Sequence, residues 1–280
     1  MKKRSTKEIK LQAKKALQGH IGTVLLGLLA VYGLNMLGTI LSTNLFSGTS
    51  PLDLVLSEVF MLVVSLIVGI ISAGFGYMLL NISRRKEFSL GDLGYFFKNQ
   101  PDRVIIAGFV LAVIQIVTAI PYYYVSFTTD PGLTVDSQIK WLSMTLGLLA
   151  VSTLLNFLIS LPFAMTYFLM ADDTELGGLQ ALKESARLMK GNLWRYVKLN
   201  LSFVPLLLLS VFTFYIALFW IMPYMEMSMV AFYRDLNGEL DYRLPGNEGF
   251  GRPNDSEDGY DTENNDGYRN DSEDDYNSEA

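Results

Sequence analysis

The sequence predicts an all-α fold: a polytopic helical membrane protein of about six transmembrane helices, with five as the alternative, and amphipathic helices lying in-plane at its cytoplasmic face. Three observations predict it. Half of the 280 residues are hydrophobic, and the mean hydropathy is +0.29 despite a very polar last segment. The apolar residues gather in runs of the ~20 residues needed to cross ~30 Å of hydrocarbon as helix, a form that satisfies its own backbone hydrogen bonds there. Lys and Arg, finally, fall almost wholly on alternate connections between those runs.

The first element, residues 1–20, is a cytoplasmic amphipathic helix. Ser5 and Glu8 fit a capping box, and Ile9, Ala13, Ala16 and Leu17 share one face against Lys7, Lys10, Lys14 and Lys15. Its basic start followed by an apolar run is superficially like a signal peptide, but the run is too long and no A-x-A site follows, so the segment is expected to be retained. Apolar runs then occupy 21–41 and 54–82, a first hairpin. Ser89 and Asp92 form a second capping pattern ahead of runs 104–125 and 141–170. A looser one, Asp172 to Glu175, precedes an amphipathic stretch with Leu179, Leu182, Ala186 and Met189 opposite Lys183, Arg187 and Lys190. The last run, 199–232, is long for one span and just sufficient for two joined by a tight turn near 212–216. Two spans would return Arg234 to the cytoplasm.

The three caps are 84 and 83 residues apart, and each amphipathic segment ends at a Gly or Asn break before a hairpin. A threefold unit of in-plane helix plus hairpin accounts for this across the membrane domain 21–236. Helices of this kind lie apolar side down with cations at the phosphates, so Lys183, Arg187, Lys190, Trp194 and Arg195 are the expected contacts to lipid or to a protein partner.

Charge sets the orientation. With a cytoplasmic N-terminus, segments 1–20, 84–103 and 171–198 carry seventeen Lys or Arg, against Lys140 alone on 42–53 and 126–142. Tyr122, Tyr123 and Tyr124 then belong to the outer aromatic belt, Trp194 and Tyr196 to the inner. The net charge of −6 combines two unlike parts: from Pro245 onward there are 12 acidic residues and two arginines, leaving 20 basic and 16 acidic residues before it. The tail, 237–280, repeats NDSEDGY as NDSEDDY sixteen residues later. Dense charge and few apolar groups predict disorder, with solubilisation or docking to a basic surface as its role.

Whole classes of chemistry are excluded. The chain has no cysteine and a single histidine, His20, so a disulfide framework, a thiolate centre and a multi-histidine metal site are ruled out. No phosphate loop, dinucleotide fingerprint or nucleophile elbow is present, and cations that flank hydrophobic spans do not suit nucleic acid. Neither cofactor nor metal is expected: Asp172, Asp173 and Glu175 are explained by helix capping. Pro162, Pro205 and Pro223 kink three spans. In the six-span reading Glu226 lies about 12 Å inside the interface, with Asn156, Asn200 and Gln115 as polar neighbours of an intramembrane site. The alternative is an interfacial helix over PYMEMSMVAFYRDL with Glu226 facing water, which the nearby Tyr224, Ser228 and Arg234 favour.

The stretches ALKESARLMKGNLWRYVKLNLSF, LFWIMPYMEMSMVAFYRDL and KEIKLQAKKALQGH resemble the bacterial integral-membrane family catalogued as domain of unknown function 975 over roughly residues 1–236. That resemblance implies a plasma-membrane protein of Gram-positive type and carries no agreed activity or catalytic residue. The general pattern is also similar to the membrane portion of some glycerophosphodiester phosphodiesterases, whose catalytic barrel has no counterpart in these 280 residues. The expected function is therefore non-catalytic: a scaffold or regulator of envelope processes in the cell membrane, both termini cytoplasmic, contacting anionic lipids and partner proteins through its cationic inner face or acidic tail. The alternative is a transporter or lipid-handling permease using Glu226 and the kinked helices.

Overall fold

In a computed structural model, which describes residues 3–47 and 50–241, eleven α-helices and two short 3-10 turns account for nearly all of the described chain, and no strand occurs among the described residues. Most of the predicted acidic tail, 242–280, lies outside the described residues. Helix α1 (Thr6–Leu17) leads into the hairpin α2 (Ile21–Leu45) and α3 (Pro51–Ser83). A 3-10 turn (Leu90–Gly94) and α4 (Tyr95–Lys98) precede α5 (Pro101–Thr128) and α6 (Val135–Ser160). After a 3-10 break (Leu161–Phe163) comes α7 (Thr166–Asp172). Then α8 (Gly178–Met189) precedes α9 (Leu193–Leu201), α10 (Val204–Phe212) and α11 (Leu218–Leu236).

Five stretches are long and apolar enough to cross a bilayer: Ile21–Leu45, Leu52–Ser83, Pro101–Ser126, Val135–Asp172 and Leu193–Phe212. Helix α11 carries Glu226, Arg234 and Asp235 and is less apolar, yet its 19 residues reach about 28 Å. It runs back beside α9 after a turn in which Phe214 and Tyr215 take positive φ, so Asp235 returns to Arg195 at the start of the preceding span. The tight turn expected near 212–216 is therefore where the chain reverses.

The three amphipathic segments share some, not all, of their start and stop features in the backbone. Capping boxes at Ser5–Glu8 and Ser89–Asp92 start the first two amphipathic segments. Left-handed residues end all three, Gly19 at φ 83°, Gln100 at φ 53° and Gly191 at φ 78°, and the following residue opens a hairpin. Without a side chain to clash, glycine takes this conformation readily. The third cap differs from expectation: α8 begins at Gly178, and Asp172 serves elsewhere.

Apolar burial concentrates at the basic end of the bundle. Ile9, Ala13 and Leu17 of α1, Phe96 of α4, Leu182 and Met189 of α8 and Val230 to Tyr233 of α11 join one core with the last turns of α3. The faces of α1 and α8 predicted to rest on acyl chains thus rest on protein, and Leu179 alone of the α8 set is exposed. The reason is length. Helix α3, with 33 residues, extends about 50 Å, some 20 Å more than a hydrocarbon core requires, and its surplus gives the amphipathic helices a wall to pack on. Small residues permit the approach: a Cβ on Gly74 would collide with the Leu93 carbonyl, and one on Gly178 with the Arg103 carbonyl. Toward the other end little of the spans is buried; α6 buries only Thr145 and Ser152. Apolar side chains there face outward, as lipid-facing residues do, and close packing is left to small groups such as Gly38 against Val64.

Candidate functional site

Three arrangements result from this packing. The first is an ionic layer across the basic end. Asp235, its side chain 1% exposed, accepts from Arg195 at 2.5 Å and Arg4 at 3.4 Å. Arg4 also reaches Asp241 at 3.1 Å and the Leu240 carbonyl at 2.5 Å. Arg84 binds both oxygens of Asp172 and pairs with Glu239 at 2.5 Å, while Arg234 donates to Glu239 at 3.0 Å and to the Ser83 carbonyl at 2.7 Å. Burial lowers the Arg84 pKa, but the hydrogen bonds to Asp172 and Glu239 outweigh it and hold the guanidinium above its ordinary value. Tyr233 adds a hydrogen bond to Asp172 at 2.6 Å. Four arginines meet four carboxylates, and one layer ties the N-terminus, α3, α7, α9 and α11 together.

This layer changes several expected roles. Arg195, expected at the lipid surface, donates to Asp235, to the Arg4 carbonyl and to Asn192, so it is a structural crosslink. Residues 237–241, assigned from sequence to the tail, form a turn whose Glu239 and Asp241 are partners in the layer. Asp172, read as a cap, is one too; Asp173 instead accepts from the Glu175 amide at 2.9 Å, and no group of metal-binding side chains assembles among the described residues. Arg103, buried to 5% exposure, holds the Asp173 and Leu176 carbonyls.

The second arrangement is an exposed cationic edge. Lys183, Arg187, Lys190 and Lys198 remain on the surface of α8 and α9 around Trp194, which is 64% exposed. The Lys198 ammonium lies 5.5 Å from the Trp194 ring, and Arg187 makes an exposed pair with Glu184. Such a pair is weak, so the edge keeps most of its positive field.

The third is a cavity of about 600 Å³ between α2, α3, α7, α9 and α11, with Glu226 in its wall. Glu226 sits at the middle of α11, ten residues or about 15 Å from its end at the basic face. It is half-buried and lines this cavity, whereas the interfacial reading has it facing open water. Asn200 lines the same space with Tyr32, Tyr167 and Tyr196. Tyr32 and Tyr196 are near enough to feel the Glu226 charge. The other expected neighbours lie elsewhere: Asn156 donates to Thr118 at 3.2 Å across the α5–α6 hairpin, and Gln115 is exposed on α5. Their sequence positions gave depth but not direction.

A second carboxylate on a helix of the bundle was not singled out from sequence. Glu58 on α3 accepts from the Tyr123 hydroxyl at 2.7 Å, which draws Tyr123 from the expected aromatic belt into a bond between spans. Its signal was the same as that of Glu226, a lone acid inside an apolar run. The cavity tyrosines carried one too, as polar tips spaced within spans.

Apolar spans, hairpins and an ionic layer closing one end define a multi-pass helical membrane protein. Residues 1–239 match the model of the family described as protein of unknown function (DUF975), and the chain belongs to that family. Neither the curated proteins nor the solved structures contain a match to it.

Proposed function

We propose that the protein is a non-catalytic component of the cell membrane that gathers anionic lipid headgroups, and partner proteins with them, along the α8–α9 edge on the cytoplasmic side. One observation supports this reading above others. With Arg4, Arg84, Arg103, Arg195 and Arg234 engaged internally, the exposed Lys183, Arg187, Lys190 and Lys198 cluster around the exposed Trp194. Exposed cations beside an interfacial indole suit the junction of headgroup and acyl chain. Each cation near an anionic surface contributes about 1 kcal/mol, so removing three reduces the preference by up to about 3 kcal/mol, somewhat less because Glu184 partly offsets Arg187. The test is lipid composition: protein in mixed-lipid micelles should co-purify with phosphatidylglycerol in preference to phosphatidylcholine, and K183Q/R187Q/K190Q should weaken the preference. An unchanged lipid ratio in the triple variant would refute the reading.

A second reading, a lipid-handling permease, is favoured by the cavity beside Glu226. Headgroup translocation in proteoliposomes would be lost in Glu226→Gln on that reading, and equal rates with and without protein would dispose of it.

A further inference from the structure

Glu226 is a carboxylate without a counter-ion. Among the described residues it has no hydrogen-bond or ion-pair partner, and none of the side chains lining its cavity is basic. Lys10 of α1, whose ammonium lies 6.0 Å from the Tyr224 ring on α11, is committed: it donates to the Ser202 carbonyl at 2.9 Å and sits 3.8 Å from the centre of the Phe203 ring. Burial at this site draws the Lys10 pKa below its ordinary value. Glu58 shows the contrast, since its carboxylate has the Tyr123 hydroxyl. An acid at mid-bilayer depth with polar space before it and nothing opposite is neutralised by a proton or by a cation that arrives from outside.

The walls say which kind of cation. A bare metal ion occupies a small fraction of 600 Å³ and needs several oxygen ligands in a shell, whereas one carboxylate is present here and the acids of the ionic layer lie at the end of the bundle. Leu28, Val31, Val68, Phe75, Met225 and Met229 make much of the lining apolar, and this surface suits hydrocarbon. Near the carboxylate the lining turns aromatic and polar. Tyr32 and Tyr196 bring aromatic rings to the lining, and the faces of such rings attract alkylammonium groups. The Asn200 amide nitrogen is bonded to the Tyr196 carbonyl at 2.9 Å, leaving its oxygen as an acceptor for an N–H donor. Access is lateral: Tyr32 and Asn35 are lining residues and yet exposed on α2, whose outward side faces lipid.

We propose that this cavity is a binding site for an amphiphilic amine: its ammonium pairs with Glu226 among Tyr32, Tyr196 and Asn200, and its hydrocarbon lies along α2, α3 and α11. The amine belongs either to a lipid headgroup or to a free amphiphile entering from the bilayer. The inference is independent of both functional readings above, since occupancy requires neither the cationic edge nor transport.

The experiment uses the full chain in phosphatidylcholine nanodiscs, with length-matched octylammonium, octanol and octanoate as probes and empty nanodiscs subtracted. Native protein should retain octylammonium in preference to both others. Glu226→Gln should weaken octylammonium binding about thirtyfold or more, the lower end of what removing one member of a buried charge pair produces, while leaving octanol unchanged. Val31→Trp, which fills the cavity and keeps the charge, should reduce all binding above background; its failure to do so would place the probe elsewhere and overturn the site. Equal retention of octanol and octylammonium by native protein would mean that Glu226 is neutralised by a proton, and would overturn the amine assignment. Should Glu226→Gln not fold, Glu226→Asp serves, shortening the reach and weakening octylammonium alone. Nanodiscs doped with phosphatidylethanolamine separate the sources: competition with octylammonium identifies a lipid headgroup, and its absence a free amphiphile.

Discussion

Replacing Asp235 by Asn should destabilise the fold more than any exposed charge change. The side chain is 1% exposed and accepts from both Arg195, at 2.5 Å, and Arg4, at 3.4 Å. Asparagine keeps the shape and removes the charge, leaving two guanidinium groups, each with 21% of its side chain exposed, with reduced compensation. Removing one partner of a buried pair costs about 3–5 kcal/mol, because the remaining charge is left desolvated. Two features place Asp235→Asn toward the lower end: Arg4 retains Asp241 and the Leu240 carbonyl, and Arg195 retains Asn192 and the Arg4 carbonyl. A loss of about 3 kcal/mol is therefore expected, measured as unfolding in dodecylmaltoside titrated with dodecyl sulfate. The double variant with Arg195→Met should recover part of it, since the orphaned cation is then gone. A loss below about 1 kcal/mol, the value of exposed pairs, with no coupling between the two sites, would refute the claim that this layer fastens the bundle.

Two further outcomes follow from the same packing. The chain has no cysteine, so single replacements report topology cleanly: Leu133→Cys, at a fully exposed position in the α5–α6 connection, should react with an impermeant maleimide applied to intact cells, and Lys98→Cys should react only after lysis. Labelling of Lys98→Cys from outside would reverse the orientation. Ser185→Ala should lower stability by about 1–3 kcal/mol in the same unfolding assay, because the buried Ser185 hydroxyl donates to the Pro162 carbonyl at 2.8 Å and accepts from the Met165 amide at 3.1 Å. A neutral Ser185→Ala would show that water replaces it at the break.

How far the sequence could be read depended on the range of the forces involved. Spans follow from local apolar runs, and the capping boxes at Ser5 and Ser89 from four-residue motifs, so both were legible and both are in the structure. The cations were legible as a count but not as roles. Positive charge on one set of loops is the same signal whether an arginine meets a phosphate or a carboxylate of its own chain, and Arg4 and Asp235 are 231 residues apart. Lys183 and Arg195 look equivalent in sequence; one is exposed and the other bonded to Asp235 because Arg195 is on the α9 face turned toward α11. The acidic side of that ledger was equally hidden: Glu239 and Asp241 read as the start of a solvated tail because the arginines that hold them arrive from the N-terminus, from just after α3 and from α11.

Glu226 illustrates the limit from the other direction. Its depth was calculable from residue counts, since rise per residue is fixed. Its surroundings were not, because they depend on which helices stand beside α11. The polar residues nearest in hydropathy terms, Asn156 and Gln115, belong to the hairpin that packs least into the core, whereas the tyrosines that do surround it had been counted as apolar or interfacial. Two properties of the bundle then bear on one another. The ionic layer fastens α3, α9 and α11 at the basic end, and the cavity lies between those same helices about 15 Å deeper, where little crosslinks them. A bundle clamped at one end and loose beyond it can keep an unfilled, partly polar space that uniform packing would have closed, and the clamp accordingly helps to hold the Glu226 cavity open.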